Sequence, residues 1–552
     1  MKYTAPVDST LFLLKDVLKF DNELTEPILR EAAKLCEEVI APTNQEGDEE
    51  GCKYVEKEVK TPQAFKEAWQ KFRDGGWLGL SVPEAYGGQG LPYTLASAIN
   101  EFISSSNMGF SLYPGLTRGN IQALLEVGSE PQKNIWIPYL ASGKWTGTMN
   151  LTEPHCGTDL GLLKTKAVPV GDEGYHITGQ KIFISCGEHD LAENILHLVL
   201  ARIEGDPEGV KGISMFAVPK FIGPERNNVS CGSIEHKMGI HGSSTCVMNY
   251  DGAYGYLVGE RCKGLNAMFI MMNEARLGVA VQGLSQSELA YQNAVSYAQE
   301  RIQSVALTDP KGGSVAIINH PDVRRMLMDI RCINEAARLL CLEASMLCED
   351  KSDAAQDRLG LMTPVLKGVL TDYGFENAVK AQQVWGGHGY IRENGMEQIV
   401  RDARIAQIYE GANGIQALDL VARKLPKNMG RAIRTFFKDS EDLINKAYGA
   451  DLHTVVQPLT SARDELRQAT EWLVGNALTL QNNAGSASYD YMKMFGLVLL
   501  GLAHVRICMA SDDKERHLNA KYFMERILPE TRFLLERIKS GSETMMEVSF
   551  FN

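Results

Sequence analysis

Glu410 is the residue in this chain best placed to do chemistry. It stands in Arg401-Asp402-Ala403-Arg404-Ile405-Ala406-Gln407-Ile408-Tyr409-Glu410-Gly411-Ala412-Asn413-Gly414-Ile415-Gln416, behind an aromatic and ahead of a glycine. Ile415, Leu418, Ala422 and Leu425 restart a helical face after it, and Asn413 with Gln416 three residues on has the form of a capping box. Glu410 is therefore expected at a break between helices. A carboxylate there is partly desolvated, which raises its pKa towards that of a useful base. The plain alternative is a solvated or salt-bridged Glu, the usual state of that residue.

Two further segments carry possible site residues. Met149-Asn150-Leu151-Thr152-Glu153-Pro154-His155-Cys156-Gly157-Thr158-Asp159 offers hydroxyls and backbone amides to a polar ring or to phosphates; read plainly, it is a loop with capping hydroxyls. Gln383-Val384-Trp385-Gly386-Gly387-His388-Gly389-Tyr390 lets backbone approach something closely. Its plain reading is a tight inter-helix turn with His388 as a hydrogen-bonded turn residue. No Gly-x-Gly-x-x-Gly, Walker-type loop, Gly-x-Ser-x-Gly elbow or His-Glu-x-x-His helix occurs. Those absences weaken triphosphatase, common hydrolase and zinc-peptidase readings and leave open a flavin held by another fold. The 11 cysteines contain no Cys-x-x-Cys pair, so no metal site is expected, and a reducing, cytoplasmic setting fits best.

The elements that must position these segments alternate in character. The first third reads as helical. Thr61-Pro62 has the form of a helix start, and Phe65, Trp69 and Phe72 share one face up to Gly75-Gly76. More than one helix is expected from Tyr93 to Leu125. Tyr175-His176-Ile177 and Ile182-Phe183-Ile184 read as strands around a turn at Thr178-Gly179-Gln180-Lys181, with further strand runs at Leu196 to Ala201 and Ile213 to Val218. From Gly264 the helical period returns: Leu277, Ala280, Val281 and Leu284 share a face. After a Pro- and charge-rich junction at Leu425 to Asp439, Leu459, Ala462, Leu466 and Ala469 do so again. The reading divides the chain into an N-terminal extension (1–35), a helical domain (36–148), a middle β domain (149–263), a helical bundle with Glu410 (264–430) and an extra C-terminal helical domain (431–552). This is an α+β order, not the alternation of a doubly wound sheet.

Composition sets the outer bounds. The chain has 552 residues, 44% of them hydrophobic and 23% charged, enough for a large core and several folding units. With Lys+Arg at 56 and Asp+Glu at 69 the net charge is −13, a poor basis for binding nucleic acid. Met1 to Asp8 lacks the pattern of a signal peptide. The apolar run Met494 to Ala503 is about half the length of a membrane span and reads as a buried helix.

In this order, Thr152-Glu153-Pro154…Gly157-Thr158-Asp159, Gly179-Gln180-Lys181 with its strand, Trp385-Gly386-Gly387-x-Gly389 and Arg401-Asp402…Tyr409-Glu410-Gly411 resemble the acyl-CoA dehydrogenase family, over about Cys36 to Arg423. Tyr3-Thr4-Ala5-Pro6-Val7-Asp8…Phe12-Leu13-Leu14, the long Arg301–Pro321 segment and the extra C-terminal domain resemble an extended branch. That branch includes 3-methylmercaptopropionyl-CoA dehydrogenases and bacterial fatty acyl-CoA dehydrogenases. The resemblance implies a helical domain, a central β-barrel or sandwich and a helical bundle, with FAD as cofactor. It also implies α,β-dehydrogenation of an acyl-CoA to a trans-2-enoyl-CoA, with electron-transfer flavoprotein as acceptor. Two alternatives are an acyl-CoA oxidase using O₂ and a non-catalytic flavoprotein.

Carried over by position, the resemblance makes Glu410 the base that takes the α-proton, with its backbone N–H and a ribityl hydroxyl of FAD holding the thioester oxygen. Met149, Leu151, Thr152, Gly157, Thr158, Phe183 and Ser185 would line the flavin. Arg301, Gln303, Gln383 and Gly387 would reach the FAD of a neighbouring subunit, which requires at least a dimer. Thr158, Asn273, Arg276, Tyr409 and Gly411 fall on substrate positions. Four departures stand out. Ala412, at a cofactor position, replaces a usual Thr; Gly414 replaces a frequent Gln; and Met149 replaces a frequent aromatic. Ala275 fills the place where one branch keeps its base on another helix, which favours Glu410. Glu274, next to it, is expected at the surface or in a salt bridge. The C-terminal domain is expected to cover a face that shorter relatives use to form tetramers.

Overall fold

The computed structural model describes residues 1–20, 22–171, 174–476 and 480–550. They form two compact units, one from Glu31–Gly278 and one from Met1–Arg30 with Val279–Asn552.

In the first unit, helix α1 (Gln63–Asp74) buries Phe65, Trp69 and Phe72 as their spacing predicts. Its start differs from expectation. Pro62 is the N-cap, and the Thr61 hydroxyl donates to Asp190 Oδ1 (2.8 Å) instead of capping the helix. Helices α2 (Tyr93–Ser106), α3 (Met108–Val127) and α4 (Glu130–Ala141) follow, the last opened by a true capping box of Ser129 and Gln132.

The seven-stranded sheet consists of β1 (Trp145–Asn150), β2 (Lys166–Val170), β3 (Gly174–Ser185), β4 (Asn194–Ile203), β5 (Ile213–Pro219), β6 (Val229–Ile234) and β7 (Thr245–Val258). Its pairing closes on itself: β7 pairs β3, β3 pairs β2, β2 pairs β4, β4 pairs β5 and β5 returns to β7. The result is a small barrel, with β6 and β1 added at β7 and β4. Strand β4 shows why the sequence folds this way. Val199, Ala201 and Ile203 point into the barrel with Ile177, Phe216 and Val218, whereas Leu196, Leu198 and Leu200 pack against Ile121, Leu124 and Ile137 of the helices.

The expected turn at Thr178-Gly179-Gln180-Lys181 does not exist. β3 is one 12-residue strand that runs straight through those residues, paired with β7 from Ser185 to Gly174. Gly179 is required for a different reason: a Cβ there would collide with Thr165.

Helix α5 (Gly264–Glu300) begins in the first unit and continues into the second. The second unit adds α6 (Pro321–Glu349), α7 (Asp353–Val384), α8 (Met396–Ile405) and α9 (Asn413–Asp419). The C-terminal helices are α10 (Arg431–Gly449), α11 (His453–Asn476), α12 (Gln481–Met509), α13 (Lys514–Arg526) and α14 (Glu530–Lys539). Leu459, Ala462, Leu466 and Ala469 are buried as expected. Helix α12 is long and apolar enough to cross a membrane, yet 83% of its apolar window is buried among its neighbours. The chain's first residues belong to this unit: Lys2 N–H donates to Asn293 Oδ1 (3.1 Å) and Thr4 N–H to Gln292 Oε1 (2.9 Å).

Candidate active site

In the barrel unit, Met149, Leu151 and Thr152 leave the end of β1, and Phe183 and Ser185 stand at the end of β3. Two hydrogen bonds bring the groups together: Ile182 N–H to the Thr152 carbonyl (2.9 Å) and the Thr148 hydroxyl to the Ser185 carbonyl (2.7 Å). Phe183 has a left-handed backbone (φ 57) and is 60% exposed. A bulky residue in that region is strained, and here it presents an apolar ring to solvent. Gly157 and Thr158 lie exposed in the same loop. Among the described residues the hydroxyls of Thr152, Thr158 and Ser185 make no hydrogen bond within the chain. An exposed aromatic face beside free hydroxyls and amides fits a planar ring with a polar edge, as a flavin has.

The loop is anchored by a pair whose role the sequence reading missed. Lys181, fully buried, donates to Glu153 Oε1 (2.8 Å) and to the Leu151 carbonyl (2.9 Å). Glu153 also accepts the backbone N–H of Lys164 (2.7 Å) and Thr165 (3.0 Å). Burial acts to raise the Glu153 carboxyl, but the ammonium and these donors outweigh it and hold it below the usual carboxylate range. Burial pushes the Lys181 ammonium down. A trans peptide sets C=O and N–H on opposite sides. With the Leu151 carbonyl turned to Lys181, the Thr152 N–H faces away from it.

Asn273 and Arg276 share a face of α5, with Arg276 Nη1 to Asn273 Oδ1 at 3.4 Å. Glu274 is not a surface residue. It is half-buried, and burial pushes its carboxyl up to about 7 against the opposing charge of Arg118 and a hydrogen bond from Tyr93.

In the other unit, Glu410 lies between α8 and α9 with a left-handed backbone (φ 54), followed by Gly411 at φ 85. A Cβ on Gly411 would strike the Gln416 amide. The helix restart is real, but the capping box is not. The N-cap of α9 is Ala412, without a side-chain cap. Asn413 instead turns inward, its amide donating to the carbonyl of Gly368 (3.0 Å), Thr371 Oγ1 (2.9 Å) and Asp372 Oδ1 (2.8 Å), and its oxygen accepting from the buried Lys367 (2.8 Å). Gln416 Nε2 donates to the Glu410 carbonyl (3.3 Å). These inward amides rotate the helix, so Ile415 and Leu418, expected on the buried face, are exposed, while Gln416, Ala417 and Leu420 are buried. Tyr409 donates its hydroxyl to Gln282 of α5. Burial, and next the charge of Glu410, push the Tyr409 phenol up, so it stays a neutral donor.

Arg301 precedes, and Gln303 lies within, the first strand of a short hairpin of Ile302–Val305 with Ser314–Ala316. Tyr297, whose carbonyl accepts the Arg301 N–H (2.9 Å), stacks on Trp385 (4.2 Å) and bonds His388 Nδ1 (2.9 Å) at the glycine turn. His388 is thus a turn residue. Gly389 is demanded by the chain, since a Cβ would meet the Gln382 carbonyl, whereas a Cβ at Gly387 would meet nothing. Arg301, Gln303, Gln383, Gly387 and Ala412 are all exposed. Among the described residues no His, Cys, Asp and Glu group suits a metal ion, and all 11 cysteines are free.

Family models match nearly the whole chain: the acyl-CoA dehydrogenase N-terminal domain at 22–144, its middle domain at 148–253, its C-terminal domain at 263–425 and an acetyl-CoA dehydrogenase C-terminal-like domain at 431–549. The 3-methylmercaptopropionyl-CoA dehydrogenase of Ruegeria pomeroyi is 41% identical, covering 91% of this chain and 90% of its own. The broad-specificity linear acyl-CoA dehydrogenase FadE5 of Mycobacterium tuberculosis is 33% identical over 93% of this chain and 88% of its own. The crystal structure of a Bacillus anthracis acyl-CoA dehydrogenase complexed with FAD superposes with a TM-score of 0.78 at 19% identity, covering 100% of this chain and 92% of that one. The helical, barrel, bundle and C-terminal helical order, with these matches, establishes that the chain belongs to the acyl-CoA dehydrogenase family of FAD-dependent oxidoreductases.

Proposed function

We propose that Glu410 removes the α-proton of an acyl-CoA thioester in an FAD-dependent α,β-dehydrogenation that yields a trans-2-enoyl-CoA. The observation that carries this reading is the Glu410 turn, a left-handed carboxylate residue between two helices with its carbonyl and both flanks engaged in hydrogen bonds. An α-C–H next to a thioester is a weak acid, so the base must be held in one orientation and the developing oxyanion must meet a preset donor. The Glu410 backbone N–H is that donor in this reading, with Tyr409 and Gly411 shaping its turn. FAD, when bound, supplies the hydride acceptor at flavin N5. Leu151, Thr152, Thr158 and Ser185 offer amides and hydroxyls to its polar edge, Met149, Gly157 and Phe183 complete that surface, and Ala412 leaves one customary hydrogen bond unmade. Thr158, Asn273 and Arg276 contact the CoA moiety.

The exposed Arg301, Gln303, Gln383 and Gly387 reach the FAD of a partner subunit, so the working form is a homodimer. The reduced enzyme passes electrons to electron-transfer flavoprotein, in the cytoplasm. The greater identity to the thioether enzyme makes 3-methylmercaptopropionyl-CoA the first substrate to try, before straight-chain fatty acyl-CoAs.

The test is anaerobic mixing of the yellow holoenzyme with methylmercaptopropionyl, butyryl, octanoyl, palmitoyl and phenylpropionyl thioesters. Bleaching by wild type and not by Glu410→Gln is expected, fastest with the thioether. No bleaching by any thioester despite bound FAD defeats the reading. Rapid reoxidation by air would replace dehydrogenase with oxidase.

A further inference from the structure

Asp372, on α7, holds both flanks of the Glu410 turn. Its Oδ1 accepts Gln407 Nε2 (2.6 Å) and Asn413 Nδ2 (2.8 Å), three residues before and three after Glu410. The Asn413 N–H closes the turn onto the Gln407 carbonyl (3.1 Å). The second carboxylate oxygen, Oδ2, accepts the phenol of Tyr489 at 2.5 Å. Tyr489 comes from α12, in the extra C-terminal segment, 117 residues away in sequence. A carboxylate rotates readily about its last torsion. With donors on both oxygens its plane is fixed, and hydrogen bonds to a charged acceptor are the stronger kind. Burial, and then the Asp372 charge, push the Tyr489 phenol up, so it remains a donor throughout the working pH range.

We infer that the C-terminal helices buttress the catalytic turn, and that Tyr489, acting through Asp372, is a positioning residue for Glu410. This rests on Glu410 being the base. It assigns the extra segment a part in the reaction besides covering surface. Loss of the phenol frees Oδ2, lets the Asp372 carboxylate rotate, and loosens Gln407 and Asn413 together.

The test compares full-length holoenzymes carrying Tyr489→Phe, Asp372→Asn and a control, Tyr491→Phe. The Tyr491 hydroxyl pairs with Thr470 Oγ1 (2.8 Å) inside the same C-terminal helices, so its loss loosens that segment without touching Asp372. With the thioester that bleaches wild type fastest, Tyr489→Phe is expected to slow flavin reduction about tenfold, the size of effect a small misplacement of a catalytic group produces. KM and FAD content stay at wild-type values, Asp372→Asn slows reduction at least as much, and Tyr491→Phe leaves it unchanged. Amide hydrogen exchange across residues 407–413, read without substrate, rises in Tyr489→Phe and not in Tyr491→Phe. Wild-type reduction and exchange in Tyr489→Phe, or equal changes in Tyr491→Phe, overturn the inference. Should every thioester fail to bleach wild type, the reading of Glu410 falls by itself and the exchange comparison still decides whether the buttress exists.

Discussion

The loop after β1 and the turn before α9 are held in opposite ways. Glu153 and Lys181 lock the first with a buried ion pair, its charges matched inside the protein. The second is gripped by amides: Asn413, Gln407 and Gln416 meet backbone, Thr371 and Asp372 around Glu410. Both present a residue with left-handed backbone, Phe183 in one unit and Glu410 in the other. The difference fits the tasks proposed for them. A cofactor surface has one state, so charges can pin it. At the turn that carries the base the groups meeting the backbone are amides, and the charges of Lys367 and Asp372 stand behind them, bound to those amides.

Four changes would break or sharpen that contrast. Glu410→Gln keeps the turn and removes the base, so flavin reduction should fall by about 10³-fold or more, with FAD content unchanged. Stopped-flow bleaching measures it. Lys181→Met leaves a buried carboxylate without its cation, which costs about 3–5 kcal/mol. Loss of FAD and a lowered denaturant midpoint are expected, with partial recovery in the Lys181→Met/Glu153→Gln double variant. Equal stability of single and double variants would show that the pair does not lock the loop.

Glu274 supplies a pH test in the barrel unit. Its folded carboxyl is raised from the ordinary 4.5 to about 7, so between those values the native state holds a proton that the unfolded chain releases. Stability should therefore fall from pH 4.5 to 7 and level off above. Glu274→Gln should remove that component, seen as a flatter melting temperature against pH than wild type. The smallest effect is expected from Thr148→Val, which removes one hydrogen bond to the Ser185 carbonyl. About 1 kcal/mol of stability and a small shift in the flavin absorption band are predicted.

Much of this was legible in the residues. The strand and helix runs at Asn194–Ile203, Ile213–Pro219 and Gly264–Glu300 follow from local period, and the break at Glu410 follows from Tyr-Glu-Gly. The misreadings share one cause: a local pattern served a distant partner. Gly179 suggested a turn but makes room for Thr165. Asn413 and Gln416 had capping-box spacing, yet their amides are used by α7 and by Glu410 itself. The Lys181–Glu153 pair spans 28 residues and Tyr489–Asp372 spans 117, separations at which no sequence period signals contact.

The central claim is that Glu410 is the base. Deuterium wash-in at the α-carbon of an acyl-CoA, followed anaerobically in D₂O with FAD-matched wild type and Glu410→Gln, tests it most directly. Wild type should incorporate label while the variant, binding FAD equally, incorporates none. Incorporation by the variant at the wild-type rate would place the base elsewhere.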